Sequence, residues 1–595
     1  MGNVVHELQY DGVETAYRYN ADGLLIEALN QEGKIALTRD KQGRIVQEMQ
    51  GDHTIDRKYN KQGECIHIGS SLGADIRQEF DEEGNLIQIQ SGNDWQADWK
   101  RDNTGLEIHR QLTGGVSVRT DRDRFGREVR KSIGVKNVET SNKQYLWGIG
   151  NRLQSIYNER TGTHANFEYD VFDNLIKADY NDLSGQTESI YRAPDAIGNL
   201  YKDKDRKDRR YGKGGRLLED PNYYYHYDCE GNLVFKEFKR MMGYSSLGKE
   251  AIEKKYGIKF KATATGWLYE WDASGMLRKV VNPQQGKIRF GYDPLGRRAY
   301  KEVKNKRTCW LWDGNVPLHE WTEEKQEPEI NLITWVFEDD GFVPCACIKD
   351  GESYSIITDY LGTPTQMYNR KGEETWSVDL DIYGRVRTFT GSSLSDCPFR
   401  YQGQYEDVET GLYYNRFRYY DASIGNYISQ DPIGLNGGIL NLYGYVNDPN
   451  RWIDAFGLAA ANGGNAPKHG GTGHNSIIDQ EIASLQADPT VTNIRKNQQQ
   501  VDIGGNNVGT NRPDIQYDQN GVHHNIEYDT TVKGSNKHQN QIPVNDPNSR
   551  NTFWQIDDQG NVITGHSQLP QSQQGVSTSN TADDQQSTKV KMGQH

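Results

Sequence analysis

The sequence predicts a mainly β architecture: a long, thin-walled array of hairpins followed by a small α/β domain. Three observations carry this: a repeat of about 20 residues that runs to about residue 400, an aromatic but weakly hydrophobic composition, and an abrupt change of character after Leu458.

The repeat is Asp or Asn followed three positions later by Gly. It occurs at Asn20/Gly23, Asp40/Gly43, Asn60/Gly63, Asp81/Gly84, Asp102/Gly105 and Asp123/Gly126, a nearly constant step along the chain. Each unit, such as "RYNADGLLIEAL", is an alternating run, a turn and a second alternating run. The Asp or Asn side chain opens the turn and Gly takes the positive φ, which is hairpin chemistry. Looser copies, "YDVFDNL", "YDCEGNL", "WDASGML", "YDPLGRR" and "LDIYGRV", continue to about residue 400. The stretch Lys239–Phe260 interrupts the pattern and reads as a partly helical insertion. The cluster "KDKDRKDRR" reads as a solvated strand edge.

Composition narrows the class. A chain of 595 residues that is only 34% hydrophobic, with mean hydropathy -0.88, is too polar for ordinary solid cores, yet 35 Tyr and 12 Trp exclude a disordered chain. Extensive sheet, little of it buried on both faces, satisfies both facts. The net charge of -14 excludes a global basic footprint for nucleic acid or membrane. No stretch reaches the roughly 18 apolar residues of a membrane span, and "MGNVVHELQYDG" has no signal-peptide core. Six scattered cysteines, the last at Cys397, argue against a disulfide framework, and Cys345 and Cys347 read as inert strand packing.

The repeats resemble the YD repeats of the Rhs family, shared with the C components of insecticidal Tc toxins and with teneurins. The resemblance implies a hollow β-shell, or cocoon, over residues 1–399. A solid β-sandwich or propeller would need more Leu, Ile and Val than these strands offer.

Residues 400–458, "RYQGQYEDVETGLYYNRFRYYDASIGNYISQDPIGLNGGILNLYGYVNDPNRWIDAFGL", resemble the Rhs core terminus. The resemblance implies a plug that closes the shell and an intramolecular aspartyl protease cutting after its final Leu. Carried onto this chain, the acids are Asp431 and Asp454, and the bond is Leu458–Ala459. The two acids meet only if the chain between them doubles back, for which "NGG" and the alternating "LNLYGYV" are suited. Two close carboxylates split their pKa values, so one activates water while the other polarises the carbonyl. The chain departs from the family pattern at Ala455, where Pro is usual, and at Asn426, where Arg is common. Asp448, in "NDPN", reads as a turn residue.

After Leu458 the family resemblance implies an enclosed toxin. Residues 459–474 form a Gly/Asn-rich linker, 475–569 the toxin domain and 570–595 a disordered end. "NSIIDQEIASLQADP" reads as a helix with Asn475 or Ser476 as N-cap, Ile477, Ile478, Ile482 and Leu485 inward, and Asp488–Pro489 as stop. Asn520–Gly521 is a hairpin turn, so cross-strand partners have numbers summing to 1041. This register opposes Asp514 to Glu527, Gln516 to Asn525, Asp518 to His523 and Arg512 to Asp529 on one face. Ile515, Tyr517, Val522, Ile526 and Tyr528, with His524, make the other, buried face. Asp518 and His523, beside the turn, read as surface residues.

Opposed carboxylates repel unless a cation lies between them. A divalent metal, Mg²⁺ or similar, on Asp514, Glu527 and Asp529 would answer that need, activate water and stabilise a phosphoryl oxyanion. Asp on one strand and Glu on the next resembles the PD-(D/E)xK nuclease superfamily, a restriction-endonuclease-like fold, with Asp514 and Glu527 catalytic. The superfamily's Lys is Asp529 here. Candidate basic or positioning groups are Lys496, Gln500, Arg512, Lys533, Lys537 and His538, and Glu481 is a weaker candidate ligand. A solvated, non-catalytic hairpin face is the alternative; the tail's 9 Lys+Arg against 13 Asp+Glu suit a polyanion poorly without a metal.

The functional expectation is an Rhs-type toxin that releases a metal-dependent nuclease, acting on DNA, into competing or host cells. The alternatives are a structural or adhesive YD-repeat protein with a non-catalytic tail, or a toxin acting on RNA or nucleotides. The resemblance further implies bacterial cytoplasmic synthesis, contact-dependent or type VI-like secretion, a spike and chaperone engaged through a region absent here, and a cognate immunity protein.

Overall fold

The computed structural model describes residues 3–458, except 104, 241–247, 285, 325, 326, 339, 340 and 438. Beyond that it describes 461, 462, 478, 481, 482, 485, 490–496, 498–506, 508, 513–519, 521–529, 532–556 and 562–568. The chain divides into two compact units, Met1–Pro467 and Lys468–His595, with the boundary inside the expected linker. Ala461–Asn462 pairs with Trp452–Ile453, so the start of that linker adds a short strand to the first unit.

The first unit is built on two antiparallel sheets of 18 and 16 strands, each following chain order among its consecutive strands. The repeat turns form as their composition requires. Asn20 Oδ1 accepts the amides of Asp22 and Leu24 at 3.0 and 2.9 Å, and Asp123 Oδ1 those of Phe125 and Arg127 at 2.9 and 3.1 Å. Gly23 and Gly126 both sit at φ 80, where a Cβ would be strained. The array folds back on itself at a nearly constant interval. Asn30 bonds Tyr292, Gln50 bonds Trp312, Ser70 bonds His319 and Trp95 bonds Ser355, at separations of 262, 262, 249 and 260 residues.

The second sheet is a middle layer. Trp310, Trp312, Trp335, Ile356, Met367 and Trp376 meet Phe399 and, from the closing segment, Tyr405, Leu412 and Tyr414. Alternate residues Cys309, Leu311, Val336, Ile357 and Tyr368 meet Ile76, Ile89, Trp95 and Val118 of the first sheet. The thin-wall expectation therefore suits the early strands, such as His6–Leu8 and Glu14–Tyr19, but the second sheet is covered on both faces. Aromatic rings rather than aliphatic chains supply the bulk, which explains the low hydrophobic count. Cys345 and Cys347 are buried packing residues, as expected.

The insertion carries the helix Lys249–Tyr256, whose Ile252 packs with Ile258 and Phe260 against Val234, Phe235 and Leu268. Its return is fixed by Glu237, wholly buried, which accepts the amides of Lys261, Ala262 and Ala264 at 2.9, 2.8 and 2.9 Å and bonds His226 at 2.9 Å. The basic cluster is not uniformly solvated: Lys202 lies over the Tyr383 ring and Arg209 is buried, donating to the carbonyls of Leu200 and Ile424.

In the second unit, helical residues Ile478, Ile482 and Leu485 pack on Ile515, Tyr517, Ile526 and Tyr528. Asn475, Ser476, Ile477, Asp488 and Pro489 lie outside the described residues. Strands Val491–Lys496, Ile515–Gln519 and Val522–Asp529 run antiparallel. The helix Val532–Asn545 then crosses to Arg550–Ile556, parallel to the third strand, and Val562–Gln568 closes the sheet. The pairs Ile515/Ile526, Gln516/Asn525, Tyr517/His524 and Asp518/His523 obey the predicted register.

Removing the Glu237 carboxylate tests the insertion's anchor. Burial opposes its charge, but His226 and the three amides outweigh that and hold its pKa at about 2. Its contribution is therefore complete above the ordinary glutamate range and lost as pH falls toward 2. Glu237→Ala is expected to lose about 2–4 kcal/mol at neutral pH. The check is a lowered thermal midpoint with faster limited proteolysis between Lys239 and Thr265.

Candidate functional site

The closing segment is a small sheet of Tyr405–Asp407, Leu412–Asn415, Arg418–Asp421 and Asn426–Tyr427. Its tyrosines pack as rings: Tyr420 lies 5.6 Å from Tyr427 and 5.1 Å from Tyr445. Asn415 and Arg418 are the paired polar residues at the end of one hairpin in this aromatic sheet.

Arg418 organises the site. Its Nη2 lies 3.1 Å from Asp431 Oδ2 and 3.2 Å from Asp454 Oδ2, so one nitrogen serves both acids. Its Nη1 donates to the Leu442 carbonyl at 3.3 Å, its Nε to the Gly457 carbonyl, and its guanidinium stacks 3.7 Å from the Tyr427 ring centre. Asp454 Oδ2 also accepts the Tyr427 hydroxyl at 2.9 Å, and Oδ1 accepts the Leu458 amide at 2.8 Å. Asn415 Nδ2 donates to Tyr427 Oη and to the Asp454 carbonyl, both at 2.7 Å. Asp431 Oδ1 accepts the Ile433 amide at 3.0 Å.

The structure thus brings Asp431, Asp454 and Leu458 together as expected. Ala459 lies outside the described residues. Burial raises both acids above the usual carboxylate range, Arg418 opposes it, and for Asp431 the charge of Asp454 adds to the rise. The side chains are 8% and 1% exposed, so Asp431 is the acid nearer solvent. Asp448 is the turn residue expected: its carboxylate accepts the Asn450 amide and its carbonyl those of Arg451 and Trp452. Of the two departures, Ala455 is buried with its carbonyl against Gly403, where a Cβ would come within 1.9 Å, and Asn426 is buried with neither amide atom hydrogen-bonded among the described residues. Sequence reasoning missed Arg418, Tyr427 and Asn415. Their signal is a polar pair, Asn and Arg, interrupting "YYNRFRYYD".

The second site is on the tail sheet. Asp514, Gln516, His523, Asn525, Glu527 and Asp529 are all at most 7% exposed, which overturns both the solvated face and a surface position for His523. His523 bonds Asp518 at 2.6 Å. Glu527 Oε1 and Asp529 Oδ1 both approach His538 Nδ1, at 2.7 and 2.9 Å, and the three ligand atoms lie within 4.8 Å of one another. Burial and then Asp514 raise the Glu527 carboxyl. Burial would lower His538, but its bonds to Asp529 and Glu527 raise it.

The set differs from the expected one. Asp514 borders it, accepting the Tyr528 amide at 2.7 Å, while its own amide donates to Glu527 at 3.1 Å. His538, supplied by the crossover helix, takes the place sequence reasoning offered to several basic groups. Gln500 is not a positioning group: it is buried, donating to the Ile542 carbonyl and accepting from Asn545 at 2.9 Å each. Lys496 is the cross-strand partner of Ile515. Arg512 lies outside the described residues, as do the side chains of Lys533 and Lys537. Glu481 is a helical residue beside Ile482, which packs on the apolar face, and it does not join the cluster. Two carboxylates and an imidazole could take a divalent cation once His538 gives up its proton, and Asp529 Oδ2 is buried without a hydrogen-bond partner among the described residues.

The repeats and closing sheet are similar to a YD shell: the Teneurin YD-shell family model matches residues 195–449. More particularly, the chain is similar to Rhs-type YD-repeat proteins. It is 28% identical over 462 residues to double-stranded DNA deaminase toxin A of Burkholderia cenocepacia, covering 71% of this chain and 30% of that protein. It is 27% identical over 390 residues to the probable deoxyribonuclease RhsA of Dickeya dadantii, covering 63% and 25%. The chain thus spans about a third or less of these relatives. Among solved structures, the Photorhabdus luminescens Tc holotoxin pore aligns with TM-score 0.47 and 14% identity, over 78% of this chain and 27% of that one.

Arg418→Met leaves two buried acids without their shared cation. A cost of about 3–5 kcal/mol is expected at about pH 7.5. Protonation of the raised carboxyls relieves the repulsion, so the deficit in thermal midpoint should shrink at pH 5; an equal deficit at both values contradicts the clamp.

Proposed function

We propose that the chain is the cargo-bearing part of an Rhs-type toxin, in which the closing segment cuts the Leu458–Ala459 bond and frees a metal-dependent nuclease. The observation carrying this reading is the single guanidinium nitrogen between Asp431 and Asp454, with Asp454 already bonded to the Leu458 amide. Two acids sharing one cation in a buried site suit general acid-base hydrolysis, one ionised to take a proton from water and the other protonated to polarise the carbonyl. An intramolecular site also removes the entropic cost of bringing the bond to the acids.

For the tail, Glu527, Asp529 and His538 would hold a divalent cation, with Asp514 setting the Glu527 strand against its neighbour. Such an ion supplies a nucleophilic water at neutral pH and charge stabilisation at a phosphoryl group. DNA is the favoured substrate: one relative is named a deoxyribonuclease and another a DNA deaminase. The cysteine-ligated zinc by which nucleobase deaminases work in general would find no cysteine in this tail, since none follows Cys397. A producing cell would need an immunity protein against this tail, and secretion would deliver it. No helix among the described residues is long and apolar enough to cross a membrane.

Two experiments check the reading. On a denaturing gel, wild type should show a band lacking everything after Leu458, absent in Asp431→Asn and Asp454→Asn; an uncut wild type refutes self-cleavage. With Mg²⁺ or Mn²⁺, the protein should degrade plasmid, and Glu527→Ala and His538→Ala should each reduce the rate about a hundredfold or more. Intact plasmid with every divalent ion tried would exclude the DNase.

A further inference from the structure

We propose that the Tyr427 hydroxyl, oriented by Asn415, places the negative charge of the acid pair on Asp454 and leaves the proton on Asp431. This rests on the self-cleavage reading and deepens it by assigning the two roles.

The assignment follows from donor accounting. The Asp454 carbonyl is only an acceptor, so the Asn415 atom 2.7 Å from it is the amide nitrogen, and the same nitrogen lies 2.7 Å from Tyr427 Oη. Tyr427 Oη therefore accepts from Asn415, and its single proton turns to the other neighbour, Asp454 Oδ2 at 2.9 Å. Asp454 thus receives three donors on its carboxylate: Tyr427 Oη, Arg418 Nη2 and the Leu458 amide. Asp431 receives one, the Ile433 amide, together with an ion-pair contact of 3.1 Å to the shared Arg418 nitrogen. Donors stabilise the ionised form, so the better-supplied acid ionises and the poorer one holds the proton. The titratable and charged groups facing Asp454 are Arg418, Asp431, Tyr427 and Tyr445, and no other cation approaches it among the described residues. The Tyr427 ring also supports Arg418 from below, so a purely steric role needs separating from the hydroxyl's.

The step balances. Water adds to the Leu458 carbonyl carbon, passing a proton to Asp454, while Asp431 gives its proton to the carbonyl oxygen. On collapse the carbon–nitrogen bond breaks, the Ala459 nitrogen takes the proton from Asp454, and a hydroxyl of the diol returns one to Asp431. Tyr427 and Asn415 are positioning residues, since neither exchanges a proton with the substrate.

The test follows self-cleavage of the full chain after a cell-free translation pulse, transferred into buffers from pH 5 to 8 and read on gels. Tyr427→Phe keeps the ring and removes the donor, so cleavage should slow about ten- to hundredfold. Its acid limb should move up by about one pH unit, because Asp454 loses a bond favouring its charge. Asn415→Leu should shift the limb in the same direction. Tyr420→Phe, which removes a hydroxyl bonded to the Tyr383 carbonyl at 2.8 Å in the same aromatic cluster, should leave the profile in place. Wild-type rate and profile in Tyr427→Phe, or slowing equal to that of Tyr420→Phe without a pH shift, overturns the inference alone. An uncut wild type removes the self-cleavage reading and this assignment with it.

Discussion

Everything in the first unit depends on one local interaction, a side-chain carboxylate or amide accepting the backbone of its own turn. At Asp40, Asp81, Asp170 and Asp381, as at Asn20, Oδ1 takes the amides two and four residues on. Each turn thus satisfies its own polar groups without help from a core. A strand pair closed in this way can be added repeatedly at one step of the chain, and the regular step is why distant repeats meet at a nearly constant separation all along the fold.

Stacking layers on such a ribbon buries polar groups that hairpins alone would leave wet. The closing segment answers with aromatic rings and matched charges. Arg298 and Lys301 both reach Asp407, at 2.5 and 3.1 Å, and Lys236 reaches Asp421 at 3.0 Å. Such pairs contribute little net stability against apolar replacements, but breaking one leaves an uncompensated buried charge. They therefore specify how the segment seats on the second sheet more than how tightly it does so. Arg418 is the same device with two acids in place of one, which converts a packing solution into a site able to divide a proton unequally.

Local features were legible in the sequence and long-range ones were not. The repeat turns and the register through Asn520–Gly521 are visible because each depends on spacing along the chain, whereas the Asp431/Asp454 pair is visible through the family resemblance of residues 400–458. His538 was only one of several basic candidates, because the crossover helix that carries it meets Glu527 and Asp529 across the sheet. Gln500 looked available for substrate because its partners, Ile542 and Asn545, lie far along the chain on that same helix. The polar face of the tail hairpin looked solvated for the same reason: a period-two pattern separates two faces but does not reveal that both are covered.

The composition of the clamp bears on when the bond after Leu458 can break. Asp454 draws its partners from Asn415, Arg418 and Tyr427, which sit on three successive strands of the closing sheet. The closing sheet packs on the second sheet, Tyr405 against Trp310 and Tyr414 against Trp312, and the second sheet in turn packs on the first. A chain whose layers are not yet stacked has no reason to hold Arg418 between two acids, and without it each carboxyl titrates as an ordinary, solvated one. On the self-cleavage reading, the cut is then conditional on completed folding of the whole first unit. On that same reading, the distance along the chain between the acids and the repeats that support them would make closure precede release.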